Sequence, residues 1–169
     1  MESLVGGKGV EFVVQKDRLG TGHAMQQAQK ALKDFKGDVV VLCGDAPLIR
    51  PQTIAALIEQ HREEENVCTV LTAKIRDPKD YGRIVRNAVG GVVRIVAEKE
   101  ANAQERAIKE VNSGAYCLKA PDVFEALAKI RKKSQLAEYA LTDVVAILVE
   151  KGEPVGGCVA GDSDEIVGI

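Results

Sequence analysis

The sequence has no run of about 18 consecutive apolar residues, so it predicts no membrane-spanning helix. Residues 1–8 also lack the apolar stretch of a secretory signal peptide. The formal net charge is only −2, which provides no basic field to attract nucleic acid or an acidic membrane surface. We therefore expect a protein that binds neither nucleic acid nor membrane.

The cysteines show no paired spacing. Cys43, Cys68, Cys117 and Cys158 are too far apart in sequence to form a Cys-x-x-Cys metal or redox motif. Each lies in an apolar segment with the pattern of a β-strand. We interpret them as buried free thiols, which are typical of a reducing compartment. The sequence thus favours a cytoplasmic location.

No internal repeat, low-complexity tract or linker divides the chain. Its 169 residues are enough for one domain with a substantial core. Hydrophobic residues make up 46% and charged residues 28%, which is typical of globular proteins. We expect a single domain over residues 1–169.

Strand and helix patterns alternate along this domain. Strands are predicted at residues 10–15, 38–43, 67–75, 111–118 and 154–160, and helices at 22–35, from 51 to the polar run 63–66, at 121–132 and at 142–151. Residues 83–86 and 91–96 flank an Asn-Ala-Val-Gly turn and predict a β-hairpin. The alternation favours an α/β fold with a mixed, mostly parallel sheet and flanking helices. The continuous apolar run 38–43 predicts a strand buried on both faces.

A glycine turn and a strand-end carboxylate are the main candidates for chemistry. Gly20 and Gly22 open a helix and leave backbone N–H groups accessible to a polar ligand. Asp45 follows a strand directly, at the sheet edge where open α/β folds bind ligands. One carboxylate suits Mg²⁺, which completes its coordination with water and substrate phosphates. An ordinary helix entry and a β-turn before Pro47 explain the same residues, and local sequence leaves both interpretations open.

Three other side chains have simpler interpretations. His23 is at the helix start, where a structural hydrogen bond is favoured over catalysis, since phosphoryl transfer needs charge neutralisation more than a base. His61 lies beside charged residues and is interpreted as solvated. Thr142 is predicted to cap the helix that follows it.

Polar residues beside glycines recur in a particular order along the chain. The motifs are Gln15 with Leu19-Gly20-Thr21-Gly22-His23-Ala24, Gly44-Asp45-Ala46-Pro47-Leu48, Asp80-Tyr81-Gly82-Arg83-Ile84, Glu98-Lys99-Glu100-Ala101, Glu110-Val111-Asn112-Ser113-Gly114 and Glu138-Tyr139-Ala140-Leu141-Thr142-Asp143. Together they resemble the uridylyltransferase domain of the bacterial bifunctional N-acetylglucosamine-1-phosphate uridylyltransferase/glucosamine-1-phosphate acetyltransferases. The resemblance extends over nearly the whole chain.

This resemblance implies a Rossmann-like nucleotidyltransferase fold and a Mg²⁺-dependent reaction. UTP and N-acetylglucosamine 1-phosphate would give UDP-N-acetylglucosamine and pyrophosphate. By motif position, the nucleotide-binding residues would be Gln15, Gly20 and Thr21, the catalytic and Mg²⁺-binding residue Asp45, and the sugar-binding residues Gly82, Glu98, Asn112 and Thr142.

The sequence departs from the family pattern at both ends. The family begins with a Leu-Ala-Ala-Gly-like phosphate loop that carries an Arg, followed by a Lys, and residues 1–14 contain nothing similar. Val167-Gly168-Ile169 matches the start of a closing motif whose next residue is a metal-binding Asn. The family's second domain, a left-handed β-helix, has no counterpart. We therefore expect a partial domain that lacks the first strand and the phosphate loop.

Two departures affect the sugar side. The family's sugar-binding Glu aligns with Ala97, and we expect the neighbouring Glu98 to replace it. The family often has a second Tyr where this chain has Ala140.

These departures predict little or no turnover by this chain alone. The alternatives are a non-catalytic binder of nucleotide sugars, a related transferase for another sugar phosphate, and a structural remnant. In the last case exposed strand edges would favour a homo-oligomer.

Overall fold

A computed structural model describes residues 9–131 and 138–166. Six strands form one sheet: β1 (Asp38–Val41), β2 (Cys68–Lys74), β3 (Arg83–Arg86), β4 (Val92–Val96), β5 (Glu110–Lys119) and β6 (Val155–Val159). The helices are α1 (Thr21–Ala28), α2 (Pro51–Glu63), α3 (Ala103–Arg106), α4 (Asp122–Leu127) and α5 (Asp143–Glu150), with a final 3₁₀ turn at Ser163–Ile166. None of the described helices has both the length and the apolar character that crossing a membrane requires.

The sheet is mixed, as predicted, but it is not mostly parallel: four of its five strand pairs are antiparallel and one is parallel. The predicted strand–helix alternation does not show that β5 lies between three strands of opposite direction. The strand order is β4-β3-β5-β2-β6, and β1 also pairs with β5. Strand β5 is antiparallel to β1, β2 and β3, whereas β2 and β6 pair in parallel. Consequently β1, β2, β3 and β6 run in one direction, and β4 and β5 run in the other. The predicted hairpin is confirmed as the antiparallel pair β3–β4.

Helices cover both faces of this sheet. Successive residues of a strand point to opposite faces: Val70 contributes to the apolar cluster under α1, α4 and α5, whereas Leu71 contributes to the cluster under α2 and the 3₁₀ turn. Pro51 starts α2, as predicted. An N–H group at the first helical position has no intrahelical partner, so proline, which lacks this group, loses no hydrogen bond there. The result is a layered α/β domain with the sheet in the middle.

The predicted strand at 10–15 is wrong, since the structure has no strand there. Val10, Phe12, Val13 and Val14 are 44–71% exposed, and no described strand pairs with this segment. Apolar residues alone do not make a strand, because its backbone groups need a neighbouring strand to bond. The sequence shows the apolar residues but not whether such a neighbour exists.

Strand β1 and helix α1 are both shorter than predicted. All four residues of β1 are half-buried, not buried on both faces, because β5 is its only partner among the described strands. Helix α1 ends at Ala28, and the chain continues through turns to residue 34. Helix α4 ends at Leu127, and position 132 of the longer predicted helix lies outside the described residues.

The interpretation of His61 as solvated is wrong. The residue is only 2% exposed, and its Nδ1 lies 2.9 Å from the Thr69 hydroxyl. Burial lowers the pKa of His61, although Asp38, 3.6 Å from its Nε2, acts in the opposite direction. His61 is four residues after the fully buried Leu57, and this helical spacing puts both residues on the face of α2 that packs on the sheet.

The cysteines are free thiols, as predicted. Cys68, Cys117 and Cys158 are buried in the sheet, and burial raises the pKa of Cys68 to about 12. Cys43 differs from the prediction, since it follows β1 and is half-buried. Its position brings it to the candidate site.

Candidate functional site

The glycine turn before α1 is held tightly against residues 138–141. The Gly22 N–H donates to the Tyr139 carbonyl oxygen (2.8 Å), and the Tyr139 N–H donates to the Leu19 carbonyl oxygen (2.7 Å). Gly20 has φ +100°, and a Cβ at this position would lie 2.6 Å from the Tyr139 oxygen. A Cβ at Gly22 would lie 2.9 Å from the same oxygen. Both positions therefore require glycine.

All three predicted nucleotide-binding residues lie at this turn. The Gln15 carboxamide nitrogen donates to the Gly20 carbonyl oxygen at 3.1 Å and lies 3.0 Å from His23 Nδ1. The Thr21 hydroxyl accepts a hydrogen bond from the Leu141 N–H at 3.0 Å. The side chain of Gln15 is thus fixed against the turn, and the side chain of Thr21 joins the turn to the segment before α5.

His23 forms structural contacts, in line with its interpretation from sequence. Its ring stacks on Tyr139, with centroids 6.2 Å apart and an interplanar angle of 29°. The Gln27 carboxamide nitrogen lies 3.1 Å from its Nε2.

Asp45 lies in an exposed turn after β1. Its carboxylate forms no hydrogen bond or ion pair with any other residue in the described ranges. Cys43 fixes the start of the turn, because its thiol donates to the Gly114 carbonyl oxygen at 3.2 Å. Burial raises the pKa of the Cys43 thiol, and the neighbouring Asp45 charge adds to the effect.

The turn can contribute to a magnesium site. Carboxylate oxygen is the ligand that Mg²⁺ prefers, and both oxygens of Asp45 are available. In residues 9–131 and 138–166 no group of three or more His, Cys, Asp and Glu side chains could hold a metal ion. Asp45 alone is a sufficient protein ligand for a cation that is bound mainly through water and substrate phosphates.

The Asn112–Gly114 segment forms an irregularity in β5 beside the Asp45 turn. Its pairing with β2 shifts register between Val70 and Thr72. The Asn112 side chain donates to the Tyr116 hydroxyl (2.9 Å) and accepts from the Gly114 N–H (3.1 Å). Gly114 has φ +81°, and a Cβ there would lie 2.9 Å from the Cys43 sulfur. The irregularity lets the Asp45 turn approach β5 closely.

The same segment is joined to two further predicted sugar-side residues. The Asn112 N–H donates to the Gly82 carbonyl oxygen at 2.9 Å. Next to Gly82, the guanidinium of Arg83 is 2% exposed and forms an ion pair with Glu98. Glu98 is half-buried, and Ala97 beside it is exposed. Hydrogen bonds thus connect Asn112 to Gly82, and Arg83 connects Gly82 to Glu98.

Thr142 does not cap α5 as predicted. It precedes the helix in helical backbone geometry (φ −57°, ψ −25°), and its side chain makes no capping hydrogen bond. A capping side chain needs an extended backbone at this position. The residue before Thr142, Leu141, donates its N–H to the Thr21 hydroxyl. Thr142 therefore lies next to the predicted nucleotide-binding residues.

The contacts define two groups of residues. The first, which we name the turn group, contains Gln15, Gly20, Thr21, His23 and the segment from Tyr139 to Thr142. The second, the β5 group, contains Asp45, Gly82, Glu98, Asn112 and Arg83. Of these, sequence reasoning gave no role to Tyr139, whose backbone holds the turn, or to the buried Arg83. The predicted closing motif at residues 167–169 lies outside the described residues.

Comparison with known proteins identifies the family. The nucleotidyl transferase family model matches residues 5–164. Curated relatives include the bifunctional protein GlmU of Acetivibrio thermocellus, 48% identical over 163 residues that cover 96% of this chain and 35% of the relative. The GlmU of Oceanobacillus iheyensis is 45% identical over 163 residues and covers 96% of this chain and 36% of the relative. This chain therefore spans about a third of the length of these relatives.

Solved structures show the same fold. A UDP-glucose pyrophosphorylase complexed with UDP-glucose superposes with a TM-score of 0.69 at 17% identity, covering 93% of this chain and 61% of that one. The apo form of a UDP-glucose pyrophosphorylase gives the same TM-score over 92% and 58% of the two chains. The chain belongs to the nucleotidyl transferase family.

Proposed function

We propose that this chain carries the nucleotide- and sugar-binding residues of an N-acetylglucosamine-1-phosphate uridylyltransferase. In this reaction a phosphate oxygen of N-acetylglucosamine 1-phosphate attacks the α-phosphorus of UTP. A new P–O bond gives UDP-N-acetylglucosamine as the bond to the leaving pyrophosphate breaks. The observation that carries the proposal is the glycine turn fixed by Tyr139 with Gln15 against it, in a chain 42–48% identical to GlmU proteins.

The turn group would bind mainly the uridine and the β5 group mainly the sugar, with Thr142 of the turn group also contacting the sugar. Gln15, Gly20 and Thr21 would bind the uridine, while Gly82, Glu98, Asn112 and Thr142 would contact the sugar. The Gly20 turn supports the assignment of the uridine-binding residues, because glycine has no side chain and lets a bound nucleotide approach the backbone. Support for the sugar side comes from the chain of contacts that joins Asn112, Gly82 and Glu98.

Asp45 would hold the Mg²⁺, which supplies charge neutralisation at the phosphate oxygens. Its exposed carboxylate, without a partner among the described residues, supports this role. The chain's own residues would orient the two substrates so that attacking and leaving oxygens lie in line. No covalent intermediate on the protein is needed.

Turnover by this chain alone is expected to be low. Removal of one well-placed charge-stabilising group commonly lowers the rate by about 10²–10³. Residues 1–14 carry no phosphate loop of the family type. A binder of nucleotide sugars without catalysis is thus the second candidate, favoured by the lack of a family-type phosphate loop in residues 1–14. A related transferase for another sugar phosphate is the third, favoured by the shared fold of UDP-glucose pyrophosphorylase.

We further propose a cytoplasmic location, supported by the free thiols of all four cysteines. The expected partners are UTP, N-acetylglucosamine 1-phosphate and UDP-N-acetylglucosamine. We also expect that the chain can form a homo-oligomer.

Calorimetric titration of the chain with UDP-N-acetylglucosamine tests the proposal. We expect binding that Mg²⁺ strengthens at least about tenfold, since one metal–carboxylate contact at a diphosphate is a strong charge interaction. Asp45→Asn should remove the Mg²⁺ effect. Asp34→Asn, a change at another exposed aspartate, should retain it.

Pyrophosphate release from UTP and N-acetylglucosamine 1-phosphate, measured on the same samples, separates the candidates. Slow release that Asp45→Asn abolishes supports the transferase, and binding without release supports the second candidate. A folded chain that binds no UDP-N-acetylglucosamine would contradict both. Equal Mg²⁺ enhancement in Asp45→Asn would contradict the role of Asp45.

A further inference from the structure

Helix α2 has no capping side chain of its own. In the part of the chain that the structure describes, the residue before the helix, Arg50, forms no side-chain capping hydrogen bond, and no acidic residue lies in the first turn. The first N–H groups of a helix have no intrahelical acceptor, and their partial positive charge favours a nearby carboxylate. The start of α2 therefore needs an acceptor from another part of the chain.

The carboxylate of Glu165 supplies this acceptor from the 3₁₀ turn at Ser163–Ile166. Its Oε2 atom accepts from the Arg50 N–H at 3.1 Å and from the Thr53 hydroxyl at 2.5 Å, across 115 and 112 residues of sequence. Its Oε1 atom lies 3.7 Å from the Arg50 Nε atom. Glu165 is only 4% exposed, so these contacts replace the water that a buried carboxylate loses.

The same start of α2 is one end of the Asp45 turn, since Arg50 follows Asp45 by five residues. The other end is fixed by the Cys43 thiol, which donates to the Gly114 carbonyl oxygen. Between these ends, the described structure has one backbone hydrogen bond in the turn, from the Ala46 N–H to the Cys43 carbonyl oxygen at 3.3 Å. The conformation of the turn thus depends on how its two ends are held.

We propose that Glu165 is a positioning residue for the carboxylate of Asp45. By capping α2 it fixes the end of the turn and so holds Asp45 where it can bind Mg²⁺ beside a nucleotide. This inference rests on the proposed function, in which Asp45 holds the metal. Glu165 acts through α2 and contacts neither metal nor substrate. A carboxylate that is already in place binds a cation more tightly than one that must be ordered on binding.

The ratio of UDP-N-acetylglucosamine affinities with and without Mg²⁺, measured by calorimetry, tests this role. The affinity without Mg²⁺ reports on folding and on the other contacts, whereas the ratio reports on the placement of Asp45. Glu165→Ala removes the acceptor, and we expect the ratio to fall from at least about tenfold to within about threefold. The affinity without Mg²⁺ should stay within about twofold of wild type, an outcome that general destabilisation does not predict.

Glu165→Gln is the conservative rescue, since one carboxamide oxygen can accept both hydrogen bonds that Oε2 accepts. We expect it to keep a ratio of at least about fivefold. Asp164→Ala is the matched control, because it removes an exposed acidic side chain from the same 3₁₀ turn. Its ratio should equal that of wild type.

Thermal melting shows whether each variant is folded. If Glu165→Ala does not fold, a second pair of variants makes the same comparison at Thr53. Thr53→Val lacks the hydroxyl that donates to Glu165, and Thr53→Ser retains it. We expect Thr53→Val to lower the ratio at least about twofold and Thr53→Ser to preserve it.

A wild-type ratio in folded Glu165→Ala, with the Mg²⁺ effect absent in Asp45→Asn, overturns the inference while the proposed function stands. An equal fall in Asp164→Ala overturns it as well, as does a Glu165→Gln variant that is no better than Glu165→Ala. A wild-type chain that binds UDP-N-acetylglucosamine equally with and without Mg²⁺ overturns the metal role of Asp45 and this inference together. Failure of the wild-type chain to bind at all overturns the proposed function and, with it, the inference.

Discussion

Because Gly20 has no side chain, the turn before α1 can pack directly against the backbone at Tyr139. The Tyr139 oxygen would lie 2.6 Å from a Cβ at this position, much closer than van der Waals contact, and the backbone has φ +100°. A side chain here would meet a backbone oxygen that is itself fixed by the Gly22 N–H. The glycine is therefore needed both for backbone conformation and for space.

Gly20→Ala should weaken both folding and nucleotide binding. We expect a loss of about 2–4 kcal/mol in the free energy of unfolding, from the strained φ and from overpacking together. Binding of UDP-N-acetylglucosamine should be lost with the turn. Chemical denaturation and calorimetry measure the two effects.

Gly152→Ala is the control, since Gly152 also has a positive φ (+80°) but no atom within 4 Å of its Cβ position. This change should cost only about 1 kcal/mol and leave binding intact. Equal losses in the two variants would show that the contact with Tyr139 contributes nothing.

Some features of the candidate site were predictable from sequence and others were not. The tight turn at Gly20 and the position of Asp45 after β1 could be predicted, because glycine and a carboxylate that follows a strand have restricted uses. The hydrogen bonds of Gln15 to Gly20 and His23 could not be found, because they depend on how the segment before α1 folds back. The burial of Arg83 is likewise a tertiary property, since nothing in its local sequence shows that its strand lies between β4 and β5.

Among the elements, the β3–β4 hairpin is anchored to the sheet by one charged cluster. Arg86 donates to both Glu110 oxygens (2.9 and 2.6 Å), and the Thr72 hydroxyl donates to one of them at 2.7 Å. Burial opposes the charge on Glu110, but hydrogen bonds from Arg86 and Thr72 outweigh it and hold the pKa of Glu110 below its ordinary value. The cluster joins β2, β3 and β5.

Glu110→Gln should destabilise the domain by about 2–4 kcal/mol at neutral pH, because it leaves Arg86 without its counter-charge. A carboxylate with a lowered pKa stabilises the fold above its unfolded pKa, and this contribution is lost as the pH falls through the folded value. The difference between wild type and variant should therefore shrink below about pH 4.5. Denaturation at several pH values measures it.

The exposed ion pair Lys151–Glu125 is the control for the Arg86–Glu110 pair. Its charged atoms are 3.2 Å apart, and the Glu125 side chain is 65% exposed. Glu125→Gln should change stability by less than about 1 kcal/mol. If Glu110→Gln proves equally mild, the charged cluster contributes little to anchoring the hairpin.

A helix or strand could be predicted from sequence when its formation depends little on neighbouring elements. Strands β2 and β5 were found within a residue or two, because their apolar runs lie between clear turn signals. The segment 10–15 has a similar apolar pattern, but the described sheet offers it no partner. Helix α1 was predicted too long because Leu32 and Phe35 keep the helical spacing although the chain there forms turns.

For the molecule as a whole, the exposed apolar segment is the expected site of association. Phe12 and Val14 are 44% and 71% exposed, and they neighbour other apolar residues. Contiguous apolar surface of this kind favours self-association. We expect the sedimentation coefficient to rise with protein concentration, and the double change Phe12→Ser with Val14→Ser to reduce that rise.

Val89→Ser is the control for association, because Val89 is 91% exposed but stands alone in the β3–β4 turn. It should sediment as the wild type does. A wild-type coefficient that matches the monomer mass and is independent of concentration would rule out the homo-oligomer under these conditions.

The central position of β5 also determines when the sheet can form during synthesis. Strand β1 is made early, yet its only described partner is β5, whose pairing with it ends at Lys119. Ribosomes add about 5–20 residues per second, so β1 waits on the order of ten seconds for its partner. Throughout that interval Val39, Val40 and Val41 of the nascent chain have no neighbouring strand with which to form backbone hydrogen bonds. The strand that leads to Asp45 therefore joins the sheet only after β5 has been synthesised.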